Sequence, residues 1–319
     1  MSTSTKTKDT APIVTAVICT FNRAPYLRKA IQSLCTQTMP LEQYEIIVVD
    51  NNSTDDTRRV VEEFTHVPNL RYVFEPIQGL CQARNTGCSE ALGTYVAYLD
   101  DDGVAVPGWT QAVAESFAMA DRPVGCVGGA ITVLWESPRP AWMPDRLLGY
   151  YGDLAYDQEI KYLNGTTEYV GGGNSAYPVD LLLSRGGFDT RMGHKGKKIR
   201  FSEEGILHLL MIRDGYALMY NANMLMHHHA GAEKVNYNWI KRRMFWQGFS
   251  SVQIERRMGQ RSRWPAPIEA FRLSRSWLRR PLDCLAMFND NSVLSRELLE
   301  QRQVALWELG RAYGLLTLE

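Results

Sequence analysis

Leu-Asp-Asp-Asp at 99–102 closes an apolar run with three adjacent carboxylates. Neighbouring carboxylates repel one another, and at the end of a buried strand that repulsion costs stability unless a cation or ligand compensates it. Carboxylate oxygen suits hard cations such as Mg²⁺ and Mn²⁺, which often bridge to substrate phosphates. The alternative is an acidic turn solvated by water. Arg84, followed by Asn85, falls near the start of an expected helix, where guanidinium and helix N-terminus both favour an anion such as phosphate. The same charge on the surface would serve to cap the acidic strand end. Glu203 and Glu204 precede a further expected helix, whose first turn favours acidic residues. His227, His228 and His229 invite comparison with a metal cluster, but neighbours on a strand point to opposite faces, so at most two converge.

The elements that must position these groups follow from periodicity. IVTAVICT (13–20), YEIIVVD (44–50), LRYVFE (70–75) and TYVAYLD (94–100) are short, apolar, β-branched runs that read as buried strands. Between them lie amphipathic stretches at 26–35, through Phe64, and at 79–92, with Ser53 or Thr54 expected to cap the second. This alternation predicts an α/β fold of βαβ units with a mostly parallel, doubly wound sheet. In such sheets ligands bind at the carboxyl ends of the strands. Those ends deliver Thr20, Asn22 and Arg23, then Asp50, Asn51 and Ser53, then Asp100, Asp101 and Asp102. Beyond residue 103 a strand is expected at 124–135, a long irregular excursion at 136–170, a Gly-dictated loop at 171–174, and a helix at 206–214. One or two strands follow at 216–229, then a helical tail from Tyr237 broken by Pro265, Pro267 and Pro281. No GxxxxGK[ST] is present and no GxGxxG follows the first strand, which argues against a P-loop nucleotidase and a dinucleotide dehydrogenase.

VICTFNR, EIIVVDNNSTDDT and GLCQARNTGCSEALGTYVAYLDDD, in that order and spacing, resemble glycosyltransferase family 2. The resemblance continues through GGGNSAY (171–177), GGFD (186–189), SEEGILHLLMIRDGY (202–216) and the three histidines, and covers roughly residues 13–230. It implies the GT-A fold (Rossmann-like, a mostly parallel central sheet flanked by helices) and nucleotide-diphosphate sugar donors. It further implies that Thr20, Asn22 and Arg23, with Ser53, lie along the donor nucleotide and that Asp50 and Asn51 meet the base. Asp100 and Asp101 face nucleoside and diphosphate, Arg84 the phosphates, and Asp102 ligates Mn²⁺ or Mg²⁺, with Asp100 and His228 as further metal candidates and His227 or His229 as the rival of His228. Many members carry a second aspartate at position 51; the amide here leaves UDP, GDP and dTDP sugars open. The catalytic base falls at Glu204, in place of the usual Asp, with Glu203 as its rival. Gly172, Gly173, Asn174 and Trp142 are the acceptor candidates, Trp142 as one of an aromatic group (Trp135, Trp142, Tyr150, Tyr151, Tyr156) suited to sugar stacking or to packing. The implied reaction is inverting displacement by an acceptor hydroxyl of a carbohydrate or lipid-linked glycan. A nucleotidyltransferase of related fold and a catalytically inactive sugar-nucleotide or glycan-binding module are the competing classes.

The expected organisation is a disordered lead (1–11), a catalytic domain (12–230) with nucleotide-sugar (12–125) and acceptor (126–230) halves, and a helical C-terminal region (231–319). The chain has 319 residues, 35 Lys plus Arg and 35 Asp plus Glu. Six scattered cysteines include no CxxC pair, which argues against a zinc ribbon and suits reduced thiols. The polar start and the lack of a run of roughly 20 apolar residues predict a cytoplasmic protein without a spanning helix. The neutral total hides a division: 12 Lys or Arg against 2 Asp or Glu between 234 and 280, interleaved with Trp239, Trp246, Trp264, Trp277 and three phenylalanines. That pattern suits the anionic inner face of a membrane, or packing of the aromatics with the bases left in water. No nucleic-acid-binding motif accompanies the charge, so no nucleic-acid partner is expected. The basic GHKGKKIR stretch (193–200) is a candidate closing loop.

Overall fold

A computed structural model of the chain describes residues 11–165, 167–193, 203–259, 265–278 and 296–318. Residues 1–10 of the expected lead at 1–11, the GHKGKKIR stretch beyond Gly193, and Trp264 lie outside the described residues. The elements are β1 (Val14–Thr20), α1 (Ala24–Cys35), β2 (Tyr44–Asp50), α2 (Thr57–Glu62), β3 (Leu70–Phe74), α3 (Leu80–Ser89), β4 (Tyr95–Asp100), β5 (Gly103–Ala105) and α4 (Trp109–Ala118). Then come β6 (Val124–Trp135), β7 (Ile160–Tyr162), β8 (Asn174–Pro178), α5 (Val179–Ser184), α6 (Glu203–Arg213), β9 (Ala217–Ala230), α7 (Tyr237–Arg257), α8 (Ala266–Leu278) and α9 (Arg296–Thr317).

Among the described residues the strands form one sheet in the order β3-β2-β1-β4-β8-β6-β9-β5, with β7 paired to β9. The expected α/β class is what forms. Parallel pairing joins β3, β2, β1 and β4, the βαβ part of the chain, while β8 runs antiparallel to both β4 and β6. Strand order reverses between β1 and β4, and at such a switch point the loops leave in opposite directions and open a crevice. The core is built from the two faces of these strands. Val14, Ala16 and Ile18 of β1 and Ile46 and Val48 of β2 pack against Leu27, Ile31 and Leu34 of α1. On the other face α3 lies close on β1: a Cβ at Gly87 would meet Val17 Cγ1 at 2.5 Å, so this position needs glycine.

Neither Ser53 nor Thr54 caps α2. Asp55 accepts from the backbone N–H of Thr57 at 3.0 Å and from that of Ala24 at 3.1 Å, so one carboxylate serves the starts of both α2 and α1. The five described cysteines are free; Cys126 is buried in the core and Cys19 half-buried. No helix among the described residues is long and apolar enough to cross a membrane.

The chain divides into two compact units. The larger takes the described residues within Met1–Thr132, Asp153–Lys197 and Glu203–His229, and the smaller those within Val133–Gly152 and Ala230–Glu319. In the smaller unit Met143, with Leu147 and Tyr151 from a 3₁₀ segment at Asp145–Tyr151, packs with Ile240 and Met244 of α7 and Leu306 of α9. α7 and α9 approach so closely that a Cβ at Gly248 would lie 2.0 Å from the Trp307 carbonyl oxygen, and one at Gly310 1.8 Å from that of Phe245.

Candidate active site

The carboxyl ends of β1 and β2 are knitted by short hydrogen bonds. Asn22 takes a left-handed conformation (φ 54°), tolerated by its short polar side chain. Its backbone N–H donates to Ser53 Oγ at 3.0 Å and its Oδ1 accepts from the Thr54 N–H at 2.7 Å. Asp50 is buried, accepting from the Ser53 N–H and the Tyr72 hydroxyl, both at 2.9 Å. Burial and that carboxylate push the Tyr72 phenol up to about 12. Asn51 donates both amide protons to backbone oxygens, of Glu75 at 3.2 Å and Ile77 at 2.7 Å, and accepts from the Gly79 N–H at 2.7 Å. Its amide fastens the loop between β3 and α3 and is not turned outward to read a base.

Across the switch point stand the three aspartates. The Arg23 guanidinium, one-third exposed, spans them: its Nε is 3.2 Å from Asp101 Oδ1 and its terminal nitrogen bonds Asp102 Oδ2. Burial raises the Asp101 carboxyl to about 7, helped by Asp102 and Asp100, while Arg23 and the Thr20 hydroxyl pull the other way. The second oxygen of Asp102 lies 3.2 Å from His228 Nε2. β5 and β9 arrange this pairing by setting Gly103 opposite His228, and the His229 N–H donates to the Asp102 carbonyl at 2.9 Å. The three histidines do not converge: His227 Nδ1 is 2.7 Å from Thr132 Oγ1 and the His229 ring packs beside Tyr26.

Asp102 and His228 thus present one carboxylate and one imidazole. Among the described residues no three His, Cys, Asp or Glu side chains gather into a cage. Two protein donors fit a divalent cation that keeps water and takes further oxygens from a substrate diphosphate. Asp100, the other metal candidate, stands apart, its half-exposed carboxylate 3.7 Å from an Arg84 nitrogen.

The antiparallel pairing of β8 with β4 sets Asn174 opposite Leu99 and brings the Gly172–Gly173 backbone onto the site. The Asp100 N–H donates to the Gly173 carbonyl at 3.0 Å. A Cβ at Gly173 would sit 2.0 Å from Asp100 Oδ2, and one at Gly172 3.0 Å from Glu204 Cδ and 3.3 Å from an Arg84 nitrogen. The two glycines are therefore the ground on which Asp100, Arg84 and Glu204 meet. Glu203 joins them through Arg84, at 2.9 Å. Arg84 is not the surface residue its type suggests: it is 3% exposed, and although burial opposes its charge, Glu203, Asp100 and Glu204 raise its pKa.

Asn174 and Trp142 are the other two acceptor candidates. Asn174 is wholly buried, its Oδ1 accepting from the Trp109 indole N–H at 2.7 Å and its amide donating to the carbonyls of Ala130 and Met224, each at 2.8 Å. That side chain ties α4, β6 and β9 to β8. Trp142 belongs to the smaller unit, edge-on to Tyr237. Trp135, Tyr150 and Tyr151 pack in that unit too, and Tyr156 packs on Tyr220 in the larger. Two aromatic residues that carried no expectation flank Arg84: its guanidinium lies 5.8 Å from the Tyr98 ring centre and 5.4 Å from that of Phe188. Phe188 belongs to the GGFD motif, which was the available signal. Asn85 clasps it, donating to its carbonyl at 2.9 Å and accepting from its N–H at 2.7 Å.

Residues 15–184, more than half of the chain, match the family model described as glycosyl transferase family 2. Among curated proteins the chain is 24% identical over 243 residues to glucosyl-dolichyl phosphate glucuronosyltransferase of Haloferax volcanii, covering 74% of this chain and 75% of that one. It is 37% identical over 162 residues to validoxylamine A glucosyltransferase of Streptomyces hygroscopicus subsp. jinggangensis, covering 47% of this chain but only 38% of that relative. Among solved structures it resembles the mannosyltransferase PcManGT of Pyrobaculum calidifontis in complex with GDP-Man and Mn²⁺, at TM-score 0.59 and 20% identity over 97% of this chain and 88% of that one. It also resembles S. aureus TarS 1–349 in complex with UDP-GlcNAc, at TM-score 0.54 and 14% identity over 94% and 90%. Strand order, switch-point carboxylates and matched family agree: the chain has the fold of the GT-A glycosyltransferases and belongs to glycosyl transferase family 2.

Proposed function

We propose that this glycosyltransferase moves a sugar from a nucleotide-diphosphate donor to an acceptor hydroxyl with inversion at the anomeric carbon. The observation that carries the proposal is the meeting of Glu204, Arg84 and Asp100 over the bare backbone of Gly172 and Gly173, at the same strand ends as Asp101 and Asp102. The acceptor oxygen attacks the anomeric carbon as the bond to the diphosphate oxygen breaks. Glu204 takes the acceptor's proton. Its assignment over Glu203 rests on its carboxyl carbon lying against Gly172, one of the acceptor candidates. Thr20, Asn22, Arg23, Asp50 and Ser53 form the donor side, in the nucleotide-sugar half at 12–125. Asp102 and His228 would hold Mn²⁺ or Mg²⁺, whose chemistry is to offset the charge of the departing diphosphate.

The nucleotide sugars bound by the structural neighbours support such a donor, and the dolichyl-phosphate relative supports a lipid-linked glycan as acceptor. Because Asn51 is engaged with backbone, the base must be found by trial among UDP, GDP and dTDP sugars. The test is nucleotide release from such a panel by purified protein with Mn²⁺ or Mg²⁺, alongside Asp102→Ala and Glu204→Ala. Release by the wild type and its loss in both variants is expected. Turnover that survives both substitutions overturns the proposal. The basic, aromatic segment at 234–280 is proposed to meet an anionic membrane surface, which would bring the enzyme to a lipid-linked acceptor.

A further inference from the structure

Glu203 and Glu204 are neighbours in the first turn of α6, yet their surroundings differ. Glu203 is 6% exposed and its carboxylate lies 2.9 Å from an Arg84 nitrogen. Arg84 is held in place from several sides. Its guanidinium lies near the rings of Tyr98 and Phe188, which pack edge-to-face at 5.6 Å. The Tyr98 hydroxyl donates to the Arg84 carbonyl at 2.9 Å, and Asn85, the next residue, clasps both backbone groups of Phe188. A guanidinium fixed between rings and cut off from water needs a carboxylate, and Glu203 supplies it. A second Arg84 nitrogen faces Asp100 Oδ1 at 3.7 Å.

Such a buried pair contributes little net stability, because desolvation of both charges offsets most of their attraction. Its effect here is one of register. α3 carries Arg84, α6 carries Glu203, and the residue after Glu203 is the one whose carboxyl carbon lies against Gly172. Fixing Glu203 on Arg84 therefore fixes the turn from which Glu204 projects, and the same arginine reaches the donor-side Asp100.

Building on the function proposed above, we infer that Glu203 and Arg84 are positioning residues that set the direction of Glu204. Glu203 itself transfers no proton. Without its negative charge, Arg84 loses its nearest carboxylate, and the turn that carries Glu204 loses its tether to α3. The chemical step should suffer while donor affinity holds.

Glu203→Gln keeps the shape and an acceptor oxygen but removes the charge. Its kcat should fall between about 10-fold and about 100-fold, the scale of a misplacement of about 1 Å at a reacting group. Donor Kd, measured by calorimetry with the nucleotide sugar that the panel selects, should stay within about twofold of wild type, since Glu203 is not one of the residues assigned to the donor side. Glu203→Asp should recover part of the lost kcat. Three results overturn the inference: an unchanged kcat in Glu203→Gln, a weakened donor Kd with kcat intact, or turnover retained by Glu204→Gln and abolished by Glu203→Gln. If Glu203→Gln does not fold, Arg84→Lys takes its place. It retains a point charge without the fork and should lower kcat by the same factor, with an unchanged kcat counting against the inference; donor Kd is no criterion for this variant, because Arg84 itself faces the donor phosphates. A wild-type protein that releases no nucleotide from any sugar would instead refute the proposed function.

Discussion

His208 lies one turn beyond Glu204 in α6, 4% exposed, with Nε2 2.8 Å from the Tyr177 hydroxyl. Burial, with the Arg84 charge nearby, lowers its pKa from 6.5 to about 3. The folded chain thus keeps a neutral imidazole where the unfolded chain takes up a proton. Between those two values the unfolded state binds more protons, so this contribution to stability is complete above the unfolded pKa and is lost as pH falls. The slope from this one group is at most about 1.4 kcal/mol per pH unit. Urea unfolding at pH steps from roughly 7 to roughly 4 should show a steeper loss of stability in wild type than in His208→Gln. Parallel profiles would refute the assignment.

At the scale of elements, two glycines separate packing from chemistry. A Cβ at Gly129 would lie 1.7 Å from the Met224 carbonyl oxygen, where β6 and β9 run side by side. Backbone cannot yield as a side chain can, so Gly129→Ala should cost about 3 kcal/mol or more and show as a lowered Tm. At Gly173 the obstructed atoms belong to the Asp100 carboxylate, which can swing away. Gly173→Ala should therefore keep Tm within a few degrees while nucleotide release drops at least about 10-fold. Equal thermal losses in the two variants would remove the distinction.

The same elements mark how far the sequence was legible. β2 and β6 form over the residues expected; in β2 a run of Ile and Val has few other places to go. The insertion of β8 between β4 and β6 was not legible, since NSAYP has no strand periodicity and its pairing depends on partners far along the chain. Among site residues, the strand-end carboxylates stand where topology required. The burial of Arg84 and Asn174 was not legible for one reason: polar type suggests solvent or ligand, whereas their partners, Glu203 and Met224 among them, lie 119 and 50 residues away. The expected Ser53 or Thr54 cap gave way to Asp55 because one carboxylate there serves two helices.

At the scale of the whole molecule, the charge division bears on where the enzyme works. In the smaller unit Ile268 and Phe271 of α8 are 47% and 61% exposed, within the segment whose excess of basic residues is +10. An apolar pair set among bases suits the headgroup layer of an anionic bilayer. The full chain should float with vesicles containing phosphatidylserine and not with neutral ones, high salt should weaken the association, and Ile268→Ser with Phe271→Ser should abolish it. Failure to float at low salt would end the membrane proposal.

The smaller unit also has an unusual itinerary: Val133–Gly152 is made early, but its packing partners Ile240, Met244 and Leu306 are made late. At about 5–20 residues per second, the ribosome needs on the order of ten seconds to travel from one to the other. Through that interval Met143, Leu147 and Tyr151 lack the cover of these three partners, while β1 to β4 and their helices have already been synthesised. The nascent chain thus completes its donor-side sheet before the second unit can close, and for that period it offers chaperones a short apolar segment in the middle of its sequence.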